Sequence, residues 1–244
     1  MNNIFFVITF LFSINFFAQT YFVEYKEVIS LGVDKTPKEL QQLFLTSEGH
    51  KATLVYSQGK SKYTYNAINV DEYESTNNGV VISLPEIYKN LTNKTTQTYY
   101  PNFEPQFYGN SIKVEENDYN LLEWEITSAK TLIAGYKCTM ATAINKKGLI
   151  INAWYTEDIP INDGPRIFYS LPGLILQVQY NDKVLVCAQK ISMIAENTDI
   201  EIAGTIDETM NLKEFEVLKK KLYEPREFID RQGNKGFIIN DKAN

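Results

Sequence analysis

The chain of 244 residues is 44% hydrophobic, 13% aromatic and 22% charged, which is the composition of a globular protein with a substantial buried core. Its formal net charge of -6 disfavours nucleic acid and anionic membrane surfaces as partners, because both would repel the protein. We therefore expect a folded protein that binds no nucleic acid.

The N-terminal segment, residues 1–19, predicts an export signal. It carries no charged side chain and consists mostly of Phe, Ile, Leu and Val, with Ala18 and Gln19 as a small-residue cleavage region. An uncleaved membrane anchor is the alternative, since the stretch is just long enough to span a bilayer. No polybasic flank follows, so we favour cleavage and expect no stable membrane span afterwards. The predicted locations are the periplasm, the outer membrane as an associated protein, or the extracellular medium.

Alternation of apolar and polar residues dominates the mature chain and predicts β-strands with one exposed face. The pattern runs through residues 21–26, 62–65, 122–126, 136–140, 149–155, 174–180 and 183–191. Turn residues at 145–148 and 181–182 separate neighbouring strands and predict two hairpins. The sequence therefore predicts a mainly β protein built on an antiparallel sheet.

Helical patterns are few, and the clearest one lies near the C-terminus. Asn211 and Glu214 have the residue types of a capping box. They precede one apolar stripe, formed by Leu212, Phe215, Leu218 and Leu222. Residues 36–39 also match a capping box, but the leucines that follow fit a helix or a strand equally well.

The segment from residue 84 to residue 111 carries three prolines among aromatic residues and predicts a long irregular connection. We divide the chain into a signal peptide (1–19), an antiparallel β domain (20–205) and a C-terminal helix with a tail (206–244).

Residues with catalytic chemistry are sparse. His50 is the only histidine, and residues 47–50 predict a hairpin turn in which its side chain is solvated. No nucleophile elbow, phosphate-binding loop or zinc-protease motif occurs, and we predict no cofactor and no metal site. The remaining route to hydrolysis is a pair of carboxylates, for which Glu157, Asp158 and Asp163 are the candidates.

Cys138 and Cys187 are the only cysteines, and both lie in predicted strands. In an oxidising compartment they could form one disulfide, which would stabilise the fold by roughly 3 to 4 kcal/mol. Two buried free thiols are the alternative, because the sequence does not give the separation of the two Cα atoms. A metal site at these cysteines is not expected, since the only histidine is distant in sequence and no Cys-x-x-Cys pattern occurs.

An ordered set of motif residues lies between Trp124 and Val178. It comprises Trp124, Gly135, Tyr136, Cys138, Trp154, Tyr155, Pro160, Gly164, Pro165, Phe168, Leu171, Pro172, Gly173, Leu174 and Ile175. Through these residues the sequence resembles the GLPGLI family, which comprises exported proteins of unknown function from Gram-negative bacteria. Ser170 stands where the family has the first glycine of its name, which puts any requirement for positive φ there in question.

The resemblance implies a mostly β protein of the cell envelope or the secreted fraction, of a kind associated with outer-membrane transport or surface assemblies. We expect an open, curved or half-barrel-like sheet that binds an apolar ligand or an envelope partner without catalysis. Trp154, Tyr155, Phe168 and Leu174 are the candidate contacts, and ordinary core packing is the alternative for each. A carboxylate-dependent hydrolase acting in the periplasm or outside the cell is the alternative function.

The Pro- and Gly-rich part of the motif predicts how the chain turns. Ile159-Pro160 is expected to end a strand, since Pro has no N–H to donate to a ladder. Gly164-Pro165 is expected to reverse the chain. Leu171-Pro172-Gly173 predicts a type II turn, with its glycine at positive φ, that sets the start of a strand at Leu174.

Overall fold

The structure, a computed structural model, describes residues 19–30, 35–66, 84–103, 109–116, 122–145, 148–180, 182–223, 225–229 and 235–239. The predicted signal segment lies outside these residues except for Gln19, so its cleavage stays a prediction. Among the residues that the structure describes, no helix is long and apolar enough to cross a membrane.

The described part of the chain folds mainly into strands. In chain order the elements are β1 (Thr20–Ile29), α1 (Pro37–Thr46), β2 (His50–Ser57), β3 (Lys60–Tyr65), β4 (Glu86–Asn90), β5 (Thr95–Tyr100), β6 (Ile112–Glu116), β7 (Glu125–Ile133), β8 (Tyr136–Ile144), β9 (Ile150–Thr156), β10 (Leu174–Tyr180), β11 (Val184–Ile194), β12 (Glu208–Asn211), α2 (Leu212–Tyr223), β13 (Pro225–Ile229) and β14 (Lys235–Ile239).

Twelve of these strands form one sheet in the order β12-β6-β5-β4-β3-β2-β1-β11-β10-β9-β8-β7. Its neighbouring strands are antiparallel, except that β12 runs parallel to β6. The edge strand β7 comes back into contact with β11, so the sheet is strongly curled, but it does not close. The prediction of a mainly β fold with a curved, half-barrel-like antiparallel sheet and a short C-terminal helix is confirmed.

Both predicted hairpins are present. β8 pairs with β9, and β10 begins at Leu174 and pairs with β11. The alternation located these strands because successive side chains of a strand point to opposite faces, and here one face is buried along most of each strand. The pairing of β12 with β6 extends the main sheet past residue 205, and the proposed domain boundary there stays a prediction.

Both capping boxes form. The Thr36 hydroxyl accepts a hydrogen bond from the Glu39 N–H at 3.3 Å, and the Thr36 N–H donates to the Glu39 carboxylate at 2.8 Å. This reciprocal pair satisfies two donors at the start of α1, and the ambiguous residues 37–46 are helical. Asn211 and Glu214 make the same exchange at the start of α2.

Three predictions of local structure are wrong. Residues 84–111 contain β4 and β5, because the prolines at 85 and 101 flank these strands and do not interrupt them. The strand predicted at 122–126 starts only at Glu125, and just before it the Trp124 indole N–H donates to the Tyr169 carbonyl oxygen at 3.1 Å. The turn at 47–50 is not the predicted hairpin turn, because it joins the helix α1 to β2, and His50 is the first residue of β2.

The segment between β9 and β10 contributes to two buried clusters. Its Ile159 and Ile161 pack in the largest cluster, with side chains of β1, β2, β3, β10 and β11. Its Phe168 and Leu171 pack in a second cluster with residues of β8, β9 and β10. This irregular segment is therefore part of the core, and its sequence is constrained by packing on both sides.

Candidate functional site

The motif segment, residues 157–173, connects β9 to β10 without a helix or strand of its own. Its backbone is tied to the start of β10, because the Leu174 N–H donates to the Ile159 carbonyl at 3.1 Å and the Ile175 N–H donates to the Asp163 carbonyl at 2.8 Å. The prediction that Ile159-Pro160 ends a strand is wrong. β9 already ends at Thr156, where the chain turns into this segment.

Gly173 serves close packing and not the predicted type II turn. Its N–H donates to the Leu171 carbonyl at 2.8 Å, which makes a three-residue turn around Pro172, and its φ is not in the left-handed region. A Cβ at this position would lie 2.0 Å from the Thr156 carbonyl oxygen. The glycine is therefore required by the approach of two backbones, and the predicted positive φ is wrong.

Positive φ occurs instead at Ser170, with a φ of 77°. This is the position where the resemblance places a glycine, so a serine here adopts a conformation that glycine adopts without steric cost. The predicted turn at Gly164-Pro165 is present, since the Phe168 N–H donates to the Pro165 carbonyl at 3.1 Å.

A buried ion pair joins the motif segment to β4. The Lys89 ammonium contacts the Asp163 Oδ1 and donates to the Gly164 carbonyl at 2.6 Å, and neither charged side chain is exposed. Burial lowers the pKa of Lys89, and the neighbouring Asp163 opposes this effect. Two opposite charges removed completely from water hold the middle of the segment against the sheet.

A second ion pair, whose acid is buried, joins the segment to β1. The Arg166 guanidinium binds both carboxylate oxygens of Glu27, with an Nε to Oε2 distance of 2.8 Å, and Glu27 is completely buried. The guanidinium also donates to the Tyr180 hydroxyl at 2.6 Å. A two-pronged arrangement of this kind fixes orientation as well as position, so Arg166 anchors the segment in one geometry.

The four predicted ligand contacts occupy different environments. Tyr155, Phe168 and Leu174 are 2%, 4% and 0% exposed and belong to the buried clusters. Trp154 is half-buried and lines a cavity. A ligand role for the four residues stays a prediction, and Trp154 lines an accessible cavity.

The cavity at Trp154 has a volume of about 560 Å³ and lies where the sheet curls from β7 towards β11. We call it the Trp154 cavity. Its lining consists of Gln41, Thr131, Leu132, Ile133, Ala134, Trp154, Gln177, Cys187, Ala188 and Gln189. All of these side chains are uncharged, and the amides of the three glutamines accompany apolar groups. Such a lining suits a neutral ligand that offers both apolar surface and hydrogen-bonding groups.

Two of the three candidate carboxylates share a cleft, and the third lies apart from them. Glu157 and Asp158 line an open cleft of about 820 Å³ together with Lys130 and Lys137. Asp163 lies outside this cleft, buried in its ion pair with Lys89. The cleft therefore combines two neighbouring acids with two lysines.

Cys138 and Cys187 are not bonded to each other in the structure; Cys138 belongs to the largest buried cluster, and Cys187 packs against it. Burial raises the pKa of Cys138 to about 11 and that of Cys187 to about 12, and for Cys187 the charge of Cys138 adds to the effect. Such thiols react slowly once the protein is folded. A disulfide between them stays a prediction. Within the described ranges, no group of three or more His, Cys, Asp or Glu side chains could hold a metal ion.

The ion-pair residues Glu27, Lys89 and Arg166 were not recognised in the sequence. Glu27 lies two positions after the buried Tyr25 on β1, and Lys89 lies two positions after the buried Ile87 on β4. Because residues two apart in a strand point to the same face, alternation alone places both charged side chains on the buried face. A charged residue at an inward position is the signal that could have identified them. No comparable signal marks Arg166, which lies in irregular structure.

The fold and the site define an open, curled antiparallel sheet with an irregular segment fixed on it by buried ion pairs. Comparison with known families places this segment at the centre of a match. A family described as "Protein of unknown function (Porph_ging)" matches residues 144–177, which run from the end of β8 to β10. None of the curated protein sequences matches the chain.

Two crystal structures of PNGF-II, in different space groups, share the fold. Their TM-scores are 0.59 and 0.56, and their sequence identities to this chain are 18% and 17%. Each alignment covers 87% of this chain but only 36% and 35% of PNGF-II, so the chain spans about a third of that protein's length. At this identity the likeness is one of fold.

Proposed function

We propose that the protein is an exported cell-envelope module of the GLPGLI type that binds a ligand or partner segment in the Trp154 cavity without catalysing a reaction. The observation that supports this most is the uncharged cavity itself, in which a half-buried indole lies beside glutamine amides. The family match over residues 144–177 and the motif residues between Trp124 and Val178 support the assignment to this type of protein.

Exposed apolar groups at the same place favour a partner segment as the occupant. Leu132, on the lining of the cavity, is 70% exposed, and it belongs to the edge strand β7, whose second side pairs with no strand among the described residues. An extended segment of an envelope protein could place apolar side chains against Trp154 and Leu132 while its backbone bonds the glutamine amides.

The experiment compares two exposed apolar residues. The mature protein is incubated with an envelope extract of its host and examined by native mass spectrometry, as wild type, Leu132→Gln and Ile144→Gln. Ile144 is 68% exposed but does not line the cavity, so it is the matched control. We expect the wild type and Ile144→Gln to retain the same bound species and Leu132→Gln to lose it. An unliganded wild type, or equal losses in both variants, would contradict the proposal.

The alternative is a carboxylate-dependent hydrolase that uses the cleft of Glu157 and Asp158. It is favoured by the presence of both acids on one accessible surface, with Lys130 and Lys137 able to hold an anionic substrate. If a hydrolytic activity is found, Glu157→Gln and Asp158→Asn should abolish it. Full activity in the double variant would exclude this function.

A further inference from the structure

Lys89 and Asp163 are placed as two reacting groups would be. The Lys89 Nζ on β4 touches the carboxylate of Asp163 in the motif segment, and both side chains are completely buried. Gly164 contacts both partners, since its carbonyl accepts from the Lys89 Nζ at 2.6 Å and its N–H donates to the Asp163 Oδ1 at 2.8 Å. The amine and the carboxyl carbon are therefore held together by one residue.

Hydrogen bonding in this pocket is incomplete for an ion pair. The Asp163 Oδ2 is buried and has no partner among the described residues. The hydroxyls of Ser61 and Thr96, the residues directly opposite Lys89 on β3 and β5, are also buried without a partner. A buried carboxylate oxygen without a donor is costly, so an ordinary ion pair leaves this site with one unsatisfied oxygen.

We propose that Lys89 and Asp163 condense into an intramolecular isopeptide bond, which links β4 covalently to the motif segment. The amide matches the surroundings better than the ions do. Its single N–H donates to the Gly164 carbonyl, its oxygen accepts from the Gly164 N–H, and the orphaned Oδ2 is the atom that departs. The product leaves neither a buried charge nor an unpaired oxygen in the pair.

The reaction balances without a co-reactant. A proton moves from the Lys89 ammonium to the Asp163 Oδ2, which gives a neutral amine and a carboxylic acid. The amine attacks Cγ while the Gly164 N–H stabilises the charge that develops on Oδ1. The Cγ–Oδ2 bond then breaks, and Oδ2 leaves as water with a second proton from Nζ.

The environment favours the neutral form of the Lys89 amine. Burial lowers the pKa of Lys89, which favours the amine over the ammonium. Holding the two groups in contact also gives the high effective concentration that intramolecular reactions show, which for well-oriented groups reaches about 10⁵ to 10⁸ M. Amide formation thus removes two charges that the core solvates poorly.

The test is the intact mass of the full mature chain under denaturing conditions, measured for wild type, Lys89→Arg, Lys130→Arg and Asp163→Asn. We expect wild type and Lys130→Arg to be lighter than their sequences by one water, and Lys89→Arg to have its full sequence mass. Asp163→Asn would release ammonia in place of water and so reach the same final mass as wild type. Lys130 is an exposed lysine that donates to the Thr139 hydroxyl, which makes it a suitable control.

Digestion with trypsin decides the question in the wild type alone, should Lys89→Arg fail to fold. The proposal predicts a branched peptide in which Lys89 is uncleaved and joined to the peptide that contains Asp163. A wild-type chain with its full sequence mass, whose two peptides separate on digestion, would overturn the isopeptide bond and leave a noncovalent ion pair.

Discussion

The motif segment and the edge of the sheet at β7 differ in almost every physical property. The motif segment has irregular backbone but is fixed by two ion pairs with buried acids, and its apolar side chains belong to the core. β7 has regular backbone, yet most of its side chains are exposed, and one of its edges pairs with no strand in the part of the chain that the structure describes. The difference indicates that the motif residues of this segment maintain the fold, while the accessible apolar surface of β7 lies beside them.

The largest expected effect comes from breaking the ion pair between Arg166 and Glu27 on β1. Arg166→Met leaves the completely buried Glu27 carboxylate without a cation, and we expect a loss of about 3–5 kcal/mol in the free energy of unfolding. Urea unfolding measures this loss. Glu27→Leu combined with Arg166→Met should recover most of it, because no charge is then buried.

The control for this variant is an exposed pair in the same sheet. Lys190 and Glu24 lie 3.6 Å apart on β11 and β1, with 68% and 54% of their side chains exposed. Lys190→Met should change stability by less than about 1 kcal/mol. Equal losses of unfolding free energy in Arg166→Met and Lys190→Met would show that the ion pair of the motif segment stabilises the fold no more than an exposed pair does.

The next effect tests the close packing of the motif segment. In Gly173→Ala the new Cβ meets the Thr156 carbonyl oxygen, so backbone must move, and we expect a destabilisation of about 1–3 kcal/mol or more. Thermal unfolding measures it. A neutral Gly173→Ala would mean that β9 and the motif segment can separate without cost.

Glu27 and Asp163 each have a cationic partner, whereas the described residues form no ion pair with the carboxylate of Glu116. Glu116 on β6 has a pKa raised from 4.5 to about 7 by burial and by the charge of Glu216 on α2. Glu116 therefore loses its proton at a lower pH in the unfolded chain than in the folded protein. The protein should lose stability as the pH rises from about 4.5 to about 7.

Glu116→Gln should remove this pH dependence. Because Glu116 is only about half-buried, we expect the variant to gain on the order of 1 kcal/mol over wild type at pH 8 and nothing at pH 4. Unfolding by urea at the two pH values provides the measurement. A gain that is the same at both values would show that titration of Glu116 is not its cause.

The smallest effect concerns the strained backbone at Ser170. Its φ of 77° is relieved in Ser170→Gly, and its side chain is exposed, so little contact is lost. We expect a gain of about 0.5–1 kcal/mol after the higher entropy of the unfolded glycine chain is included. Ser170→Ala, which keeps the strain, should show no gain in thermal unfolding. A gain in Ser170→Ala would attribute the effect to the hydroxyl.

Much of the fold was predictable from local patterns. Alternation and turn residues identified β8 to β11. The capping boxes identified α2 and gave a helix at α1 as one of two alternatives. These patterns were informative because they depend on residues only a few positions apart. The order of twelve strands, the parallel pairing of β12 with β6 and the curl of β7 towards β11 depend on contacts distant in sequence, which no local pattern specifies.

The candidate site was predictable only in part. The motif located the segment and Trp154, but burial separated the proposed aromatic contacts into core residues and one cavity residue. The partners of Asp163 and Arg166 come from β4 and β1, more than 70 residues earlier in the chain. The role of Gly173 could not be inferred, since the sequence does not distinguish a glycine required for close backbone approach from one required for positive φ.

Hydrogen exchange of the native protein tests most directly whether the motif segment is fixed and the β7 edge is open. The account predicts that the amides of Ser170, Gly173, Leu174 and Ile175 exchange only through global unfolding, because each is bonded within or beside the buried segment. The amides of β7 should exchange by local opening at a free energy well below that of global unfolding. Exchange of the motif segment as fast as that of β7 would contradict the account.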